Sequence, residues 1–339
     1  MRTQPSSQRS PFPGAGLLRR IPTWVYGPTA VKRCAVVATI GMFLVLAMGT
    51  LVTNTNSQRG CGQSWPLCNG KFVPDFALAA AIEFSHRAVT GAEGVLIVAL
   101  TAAVLMLYGR QRPVQVLAPL MLGFLLLQAG MGAWAVKYPQ QPLVLALHFG
   151  ISLVALATTT LTAIYIRRPE PLLSAPAVSG GVRLITWGTA VYIYLLVYSG
   201  AYIRHMGAAA ACQSWPLCSG SHAALGVEAL AVDLAHRFAA GAALLLGLGL
   251  LLVYRRIQPP RSDLVTGAWL LIGALVAQGA AGAFLVLSRF GVTGELLHAA
   301  LTGVAFTAAA YLCLRVTLGV RSAPDAAIAS SKLVAMDAR

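Results

Sequence analysis

Charge is what this chain has least of. Only 10% of its 339 residues are Asp, Glu, Lys or Arg, against 57% hydrophobic. That shortage excludes an ordinary soluble domain, which would need several oversized, wholly apolar core helices. A single basic patch is missing too. Although the formal net charge is +15, the cations stand beside the ends of apolar runs, which points to membrane topology and away from nucleic acid. No small-residue cleavage site follows the first apolar run, so the first helix is expected to be retained.

The apolar runs recur at lengths near 20 residues, the span of a bilayer core. They predict an all-α integral membrane protein with eight transmembrane helices, at about 34–54, 76–108, 114–136, 143–166, 184–204, 223–254, 263–288 and 294–318. The second and sixth exceed one span and must tilt or project. Arg110 and Arg112, then Arg167, Arg168 and Arg183, then Arg255, Arg256 and Arg261 occupy alternate loops, on the side of Lys32 and Arg33. The positive-inside rule puts both termini in the cytoplasm. Residues 1–33, rich in Pro, Ser and Arg, are expected to be a disordered cytoplasmic lead.

A repeat organises the chain. Gln63-Ser64-Trp65-Pro66-Leu67-Cys68-Asn69-Gly70 returns 150 residues later as Gln213-Ser214-Trp215-Pro216-Leu217-Cys218-Ser219-Gly220. At the same offset Glu83 and His86-Arg87 match Asp233 and His236-Arg237, Gln128 and Gly132 match Gln278 and Gly282, and His148 matches His298. The expected fold is therefore two parallel-repeat four-helix bundles, 34–166 and 184–318, joined by a cytoplasmic linker, 167–183, and followed by a cytoplasmic tail, 319–339. An even number of helices separates the two Trp-Pro loops, so both lie on one face, the extracytoplasmic one. Such repeats also occur in transporters, so duplication alone does not make an enzyme.

Cys61 and Cys68 flank the first Trp-Pro loop, and Cys212 and Cys218 the second. On an oxidising face each pair is either a structural disulfide or a redox-active one. Cys34 and Cys313 read as small buried apolar residues, and His222 as a solvated loop residue.

Polar side chains are costly inside a membrane and point to function. His86 and His148 are 62 residues apart, as are His236 and His298, so both halves offer one pair at similar depth. Two imidazoles facing across a four-helix core suit axial ligation of haem iron. Zinc fits less well, because third and fourth protein ligands are not evident. Glu83 and Asp233 each stand three residues before a histidine, on its helix face. Either acid can orient the imidazole, pair with the following arginine, or accept a proton from substrate. Arg87, Arg204 and Arg237 are candidate contacts for haem propionates, or else snorkelling interfacial charges.

Taken together, the Cys61-to-Cys68 loop, Glu83-x-x-His86-Arg87, His148, Cys212 to Cys218, His236-Arg237 and His298 resemble the haem A synthase family of bacteria and mitochondria, in its bacterial type with cysteine pairs in the outer loops. The resemblance covers about residues 34–318. It implies oxidation of a ring methyl of haem O to a formyl group, giving haem A for a terminal cytochrome oxidase. It implies that His236 and His298 carry a resident haem b, and that His86 and His148 form the substrate haem site. It also implies Glu83 as the essential acid, Cys61 and Cys68 as a functional pair, and Cys212–Cys218 as a structural disulfide. Expected partners are haem O, the lipid bilayer, haem O synthase and cytochrome oxidase assembly factors; a homo-oligomer is left open. The rivals are a di-haem electron carrier, which two equivalent histidine pairs predict equally well, and a haem-free transporter.

Overall fold

The computed structural model describes residues 27–138, 141–169, 174–218 and 226–319. His222, most of the expected lead and nearly all of the tail lie outside them. Among the described residues the fold is all-helical, with eight helices long and apolar enough to cross a membrane. They are α1 (Pro28–Asn54), α2 (Leu78–Tyr108), α3 (Arg112–Lys137), α4 (Pro142–Arg167), α5 (Gly180–His205), α6 (Gly226–Arg255), α7 (Ser262–Leu287) and α8 (Val292–Thr317).

Local chemistry sets their ends. α1, α3 and α4 each begin with proline in the first turn, where the missing N–H has no intrahelical partner to lose. Ser179 caps α5, its hydroxyl accepting from the Val182 N–H at 3.3 Å. The first helix starts at Pro28 rather than the expected 34. Lys32 and Arg33 thus belong to the helix, because long cationic side chains at a helix end reach water without ending the helix. The 31 residues of α2 and 30 of α6 rise about 45 Å, beyond a hydrocarbon core of about 30 Å.

Within residues 28–167, α1 packs on α2, α2 on α3, α3 on α4 and α4 on α1; α5 to α8 close in the same cyclic order. The halves meet where α4 packs on α5 and α8, and where α8 packs on α1. Beside that seam, within the second half, Tyr194 of α5 stacks on Phe306 of α8, ring centroids 5.1 Å apart, and both pack on the first half's core. Each half has its own apolar core: Met42, Ile97, Leu100, Met121 and Leu153 in one, and Ala243, Leu264, Leu271 and Leu312 in the other. Many large apolar side chains, such as Val37, Ile40, Leu184 and Leu270, point outward, as a lipid-facing surface requires.

One end is tied by a polar knot. Asp263 accepts from Arg261 at 2.8 Å and from Arg315 at 2.7 Å, while Arg261 also donates to the carbonyls of Pro176 and Arg315. This fastens the segment before α5 to the start of α7 and the end of α8.

Candidate functional site

A cavity of about 1360 Å³ opens between the helices, lined from both halves. His86 of α2 and His148 of α4 reach it from one half, and His236 of α6 and His298 of α8 from the other. Within each pair the imidazoles are in electrostatic reach of one another. The structure thus brings all four sequence-predicted histidines to one space, as two pairs.

Each ring is seated against a glycine on an adjacent helix. A Cβ at Gly49, Gly132, Gly200 or Gly282 would lie 3.4, 3.6, 2.7 or 3.3 Å from Cε1 of His86, His148, His236 or His298 respectively. At Gly200 the distance is too short for any side chain unless the ring moves.

The pairs differ in how they are held. His236 Nδ1 is 3.0 Å from the Ser199 hydroxyl. Gln278 places its amide nitrogen 3.3 and 3.1 Å from the two ring nitrogens of His298 and donates to Thr302 at 2.6 Å. In the N-terminal half, Nδ1 of His86 and of His148 are buried without a hydrogen-bond partner; Oε1 of Gln128 and of its counterpart Gln278 are unpartnered alike.

Both acids pair with their arginines. Glu83 meets Arg87 at 2.5 Å, and Asp233 meets Arg237 at 2.8 Å. Glu83 does more, because its second oxygen accepts from the Cys61 N–H at 2.8 Å. Arg87 in turn donates to the Ser64 and Leu67 carbonyls at 2.7 and 2.8 Å. Arg237 holds the second loop through the carbonyls of Ser214, Pro216 and Cys212, at 2.6, 3.1 and 3.1 Å. Trp65, Pro66 and Trp215 line the cavity, so both loops close the same end of it.

The two cysteine pairs are bonded, Cys61 to Cys68 and Cys212 to Cys218. Cys61 and Cys68 are fully buried, packed with Ala80 and Phe84 at the base of the loop. None of the four lines the cavity itself; they brace the segments that do. Arg204, the third candidate cation, lines the cavity beside His205 and pairs with Glu295 of α8 at 2.6 Å.

Several residues at the site escaped the sequence reading. Glu295 stands three residues before His298, the same acid-to-histidine spacing as Glu83 to His86; its repeat position is Leu145, so a search for matched pairs passes over it. Gly49 and Gly200 are 151 residues apart rather than 150, because the second loop lacks a counterpart of Gly62. Ser199 has no polar mate, the matching residue being Met48.

The arrangement offers two imidazole pairs, buried acids and cationic groups around an apolar space. The chain is 40% identical to a protein named Heme A synthase from Symbiobacterium thermophilum over 294 residues, 84% of this chain and 94% of that one. Proteins of the same name from Geobacillus kaustophilus and Exiguobacterium sibiricum are 36% and 38% identical, covering 87% and 81% of this chain and 94% and 91% of their own lengths. The family model COX15-CtaA, described as cytochrome oxidase assembly protein, matches residues 32–310. The chain belongs to the COX15-CtaA family of cytochrome oxidase assembly proteins.

Proposed function

We propose that this chain is a haem A synthase, a membrane-bound oxidoreductase that oxidises a ring methyl of haem O to a formyl group and so supplies haem A for cytochrome oxidase assembly. The observation that carries this reading is that the two histidine pairs lining one cavity are unequal, one tethered by neighbouring side chains and the other with both Nδ1 atoms unpartnered. The residues fit a flat iron macrocycle: imidazoles stand in twos, glycines leave room beside each ring, and the Nδ1 atoms of His86 and His148 are buried with no protein partner.

The unequal tethering supports a division of labour. His236 and His298, oriented by Ser199 and Gln278, are suited to a resident haem b. The Ser199 hydroxyl gives its own hydrogen to the Leu196 carbonyl and can accept from His236 Nδ1–H, which fixes that ring and raises its basicity; the Gln278 amide holds the His298 ring in place. His86 and His148 lack such tethers, which suits a haem that must arrive as substrate and leave as product. When bound, haem supplies the electronic chemistry. The protein's own residues orient the macrocycle, exclude water and handle protons. Glu83 is 3% exposed and lines the cavity, so its carboxylate can take a proton released as the methyl is oxidised. Its bond to the Cys61 N–H couples that group to the disulfide loop, supporting a functional role for Cys61 and Cys68, with Cys212 and Cys218 as a brace. Arg87, Arg204 and Arg237 line the cavity as candidate propionate contacts. In this reading the halves are parallel repeats, the termini face the cytoplasm, and the cysteine loops close the outer face.

The test is chromatography of haems extracted from protein made in cells that produce haem O, with a His86→Ala variant alongside. Haem B together with haem O and haem A in the wild type, with haem A lost in the variant, supports the synthase. Haem B alone, near two per chain and falling to one in the variant, makes the protein a di-haem electron carrier.

A further inference from the structure

At the end of the bundle where α1 begins and α4 ends, Thr29, Lys32, Arg33, Arg167 and Arg168 line a second recess of about 300 Å³. Four cations converge there, and among the described residues no carboxylate lines the recess. None of the four side chains makes an ion pair or hydrogen bond among the described residues. The preceding chain cannot neutralise them either, since Asp75 is the first acidic residue in the sequence and pairs with Lys71 in the first cysteine loop.

Positive-inside topology requires cations near this end, but it does not require them to share a recess. Others near it are provided for: Arg261 and Arg315 hold Asp263, and Arg255 lies over the Trp269 ring at 5.6 Å. The cluster is also absent from the repeat. Only Lys32 has a cationic counterpart, Arg183; Leu184, Thr317 and Leu318 stand where Arg33, Arg167 and Arg168 stand in the first half, and Thr317 is bonded to Trp187 at 3.2 Å.

We propose that this recess binds the phosphate-bearing headgroup of an anionic phospholipid, with Lys32 and Arg33 of α1 and Arg167 and Arg168 of the α4 end as its ligands. The chemistry is that of a basic pocket between membrane helices at headgroup level. Its place at the helix ends favours a lipid over a soluble anion, because the acyl chains can lie along the apolar outer faces of α1 and α4. Bound there, the lipid ties α1 to α4 and closes the ring of the first half.

The experiment uses the full chain reconstituted in bilayers of equal parts phosphatidylcholine and phosphatidylglycerol, then extracted in mild detergent, with retained lipid measured by mass spectrometry. Wild type is expected to retain phosphatidylglycerol selectively. Each cation near an anionic headgroup contributes roughly fivefold, so K32Q/R33Q and R167Q/R168Q should each weaken the preference on the order of 20-fold. R110Q/R256Q should keep it. The charge-conserving R33K/R167K/R168K should also keep it, which separates electrostatics from misfolding. Equal retention in wild type and both pair variants overturns the proposal, as does loss of retention in the lysine variant. Displacement of the retained lipid by inorganic phosphate alone would assign the recess to a soluble anion instead.

Discussion

Glu83→Gln and Glu83→Asp should separate two jobs that one carboxylate performs. In the wild type, one oxygen of Glu83 meets Arg87 at 2.5 Å and the other accepts from the Cys61 N–H at 2.8 Å. Gln keeps an acceptor for Cys61 but loses the charge. Removing one partner of a buried ion pair costs roughly 3–5 kcal/mol. The lower end applies here, because Arg87 retains two loop carbonyls. Turnover should fall by about 10²–10⁴-fold, the usual contribution of a positioned proton-transfer group. Asp keeps the charge and the arginine, as Asp233 does with Arg237 at 2.8 Å. Its carboxylate is one methylene short of the Cys61 N–H, and among the described residues no backbone N–H of the second loop reaches Asp233. Glu83→Asp should therefore lose one hydrogen bond to a charged acceptor, about 1.5–3 kcal/mol, and retain more activity than Glu83→Gln. The assay is haem A formed per resident haem b, by chromatography of extracted haems, beside a thermal melt followed by circular dichroism. Wild-type turnover in Glu83→Gln would refute proton handling by Glu83, and loss of resident haem b in both variants would make the residue structural.

His236→Ala should abolish the resident haem, whereas His148→Ala should spare it and remove haem O and haem A; optical spectra and extracted haems of the purified variants distinguish the two. Gly200→Ala places a methyl 2.7 Å from His236 Cε1, while Gly49→Ala sits at an ordinary 3.4 Å from His86. Haem b content should thus fall clearly in the first variant, whereas the haem O and haem A content of the second should change little. Asp263→Asn leaves Arg261 and Arg315, both largely buried, without their shared carboxylate. It should cost roughly 3 kcal/mol or more, read as a lower melting temperature with unchanged haem types.

Much of this molecule is legible from the chain alone, because membrane insertion is a near-local problem. Long apolar runs must become helices, since each backbone polar group has to be satisfied within its own segment. The eight spans follow directly, and only ends such as Pro28 shift. Repetition is equally local: the matched Trp-Pro loops and the four histidines are read by counting. The bonds of Glu83 were not readable that way. Its three readings, orienting His86, pairing with Arg87 or accepting a proton, are equal on a helical wheel, and the approach of the first loop adds a partner from 22 residues away. Arg204 and Glu295 lie 91 residues apart, and no local pattern joins them.

The sequence by itself determined the number of helices, the duplication and the four histidines, because hydropathy and spacing act along the chain. Tertiary structure alone decided that both pairs line one cavity, that only the C-terminal pair is held by Ser199 and Gln278, and that four cations of α1 and the α4 end share a recess. Those outcomes depend on which helix faces pack together across the bundle, a choice made by side-chain shape between segments far apart in sequence.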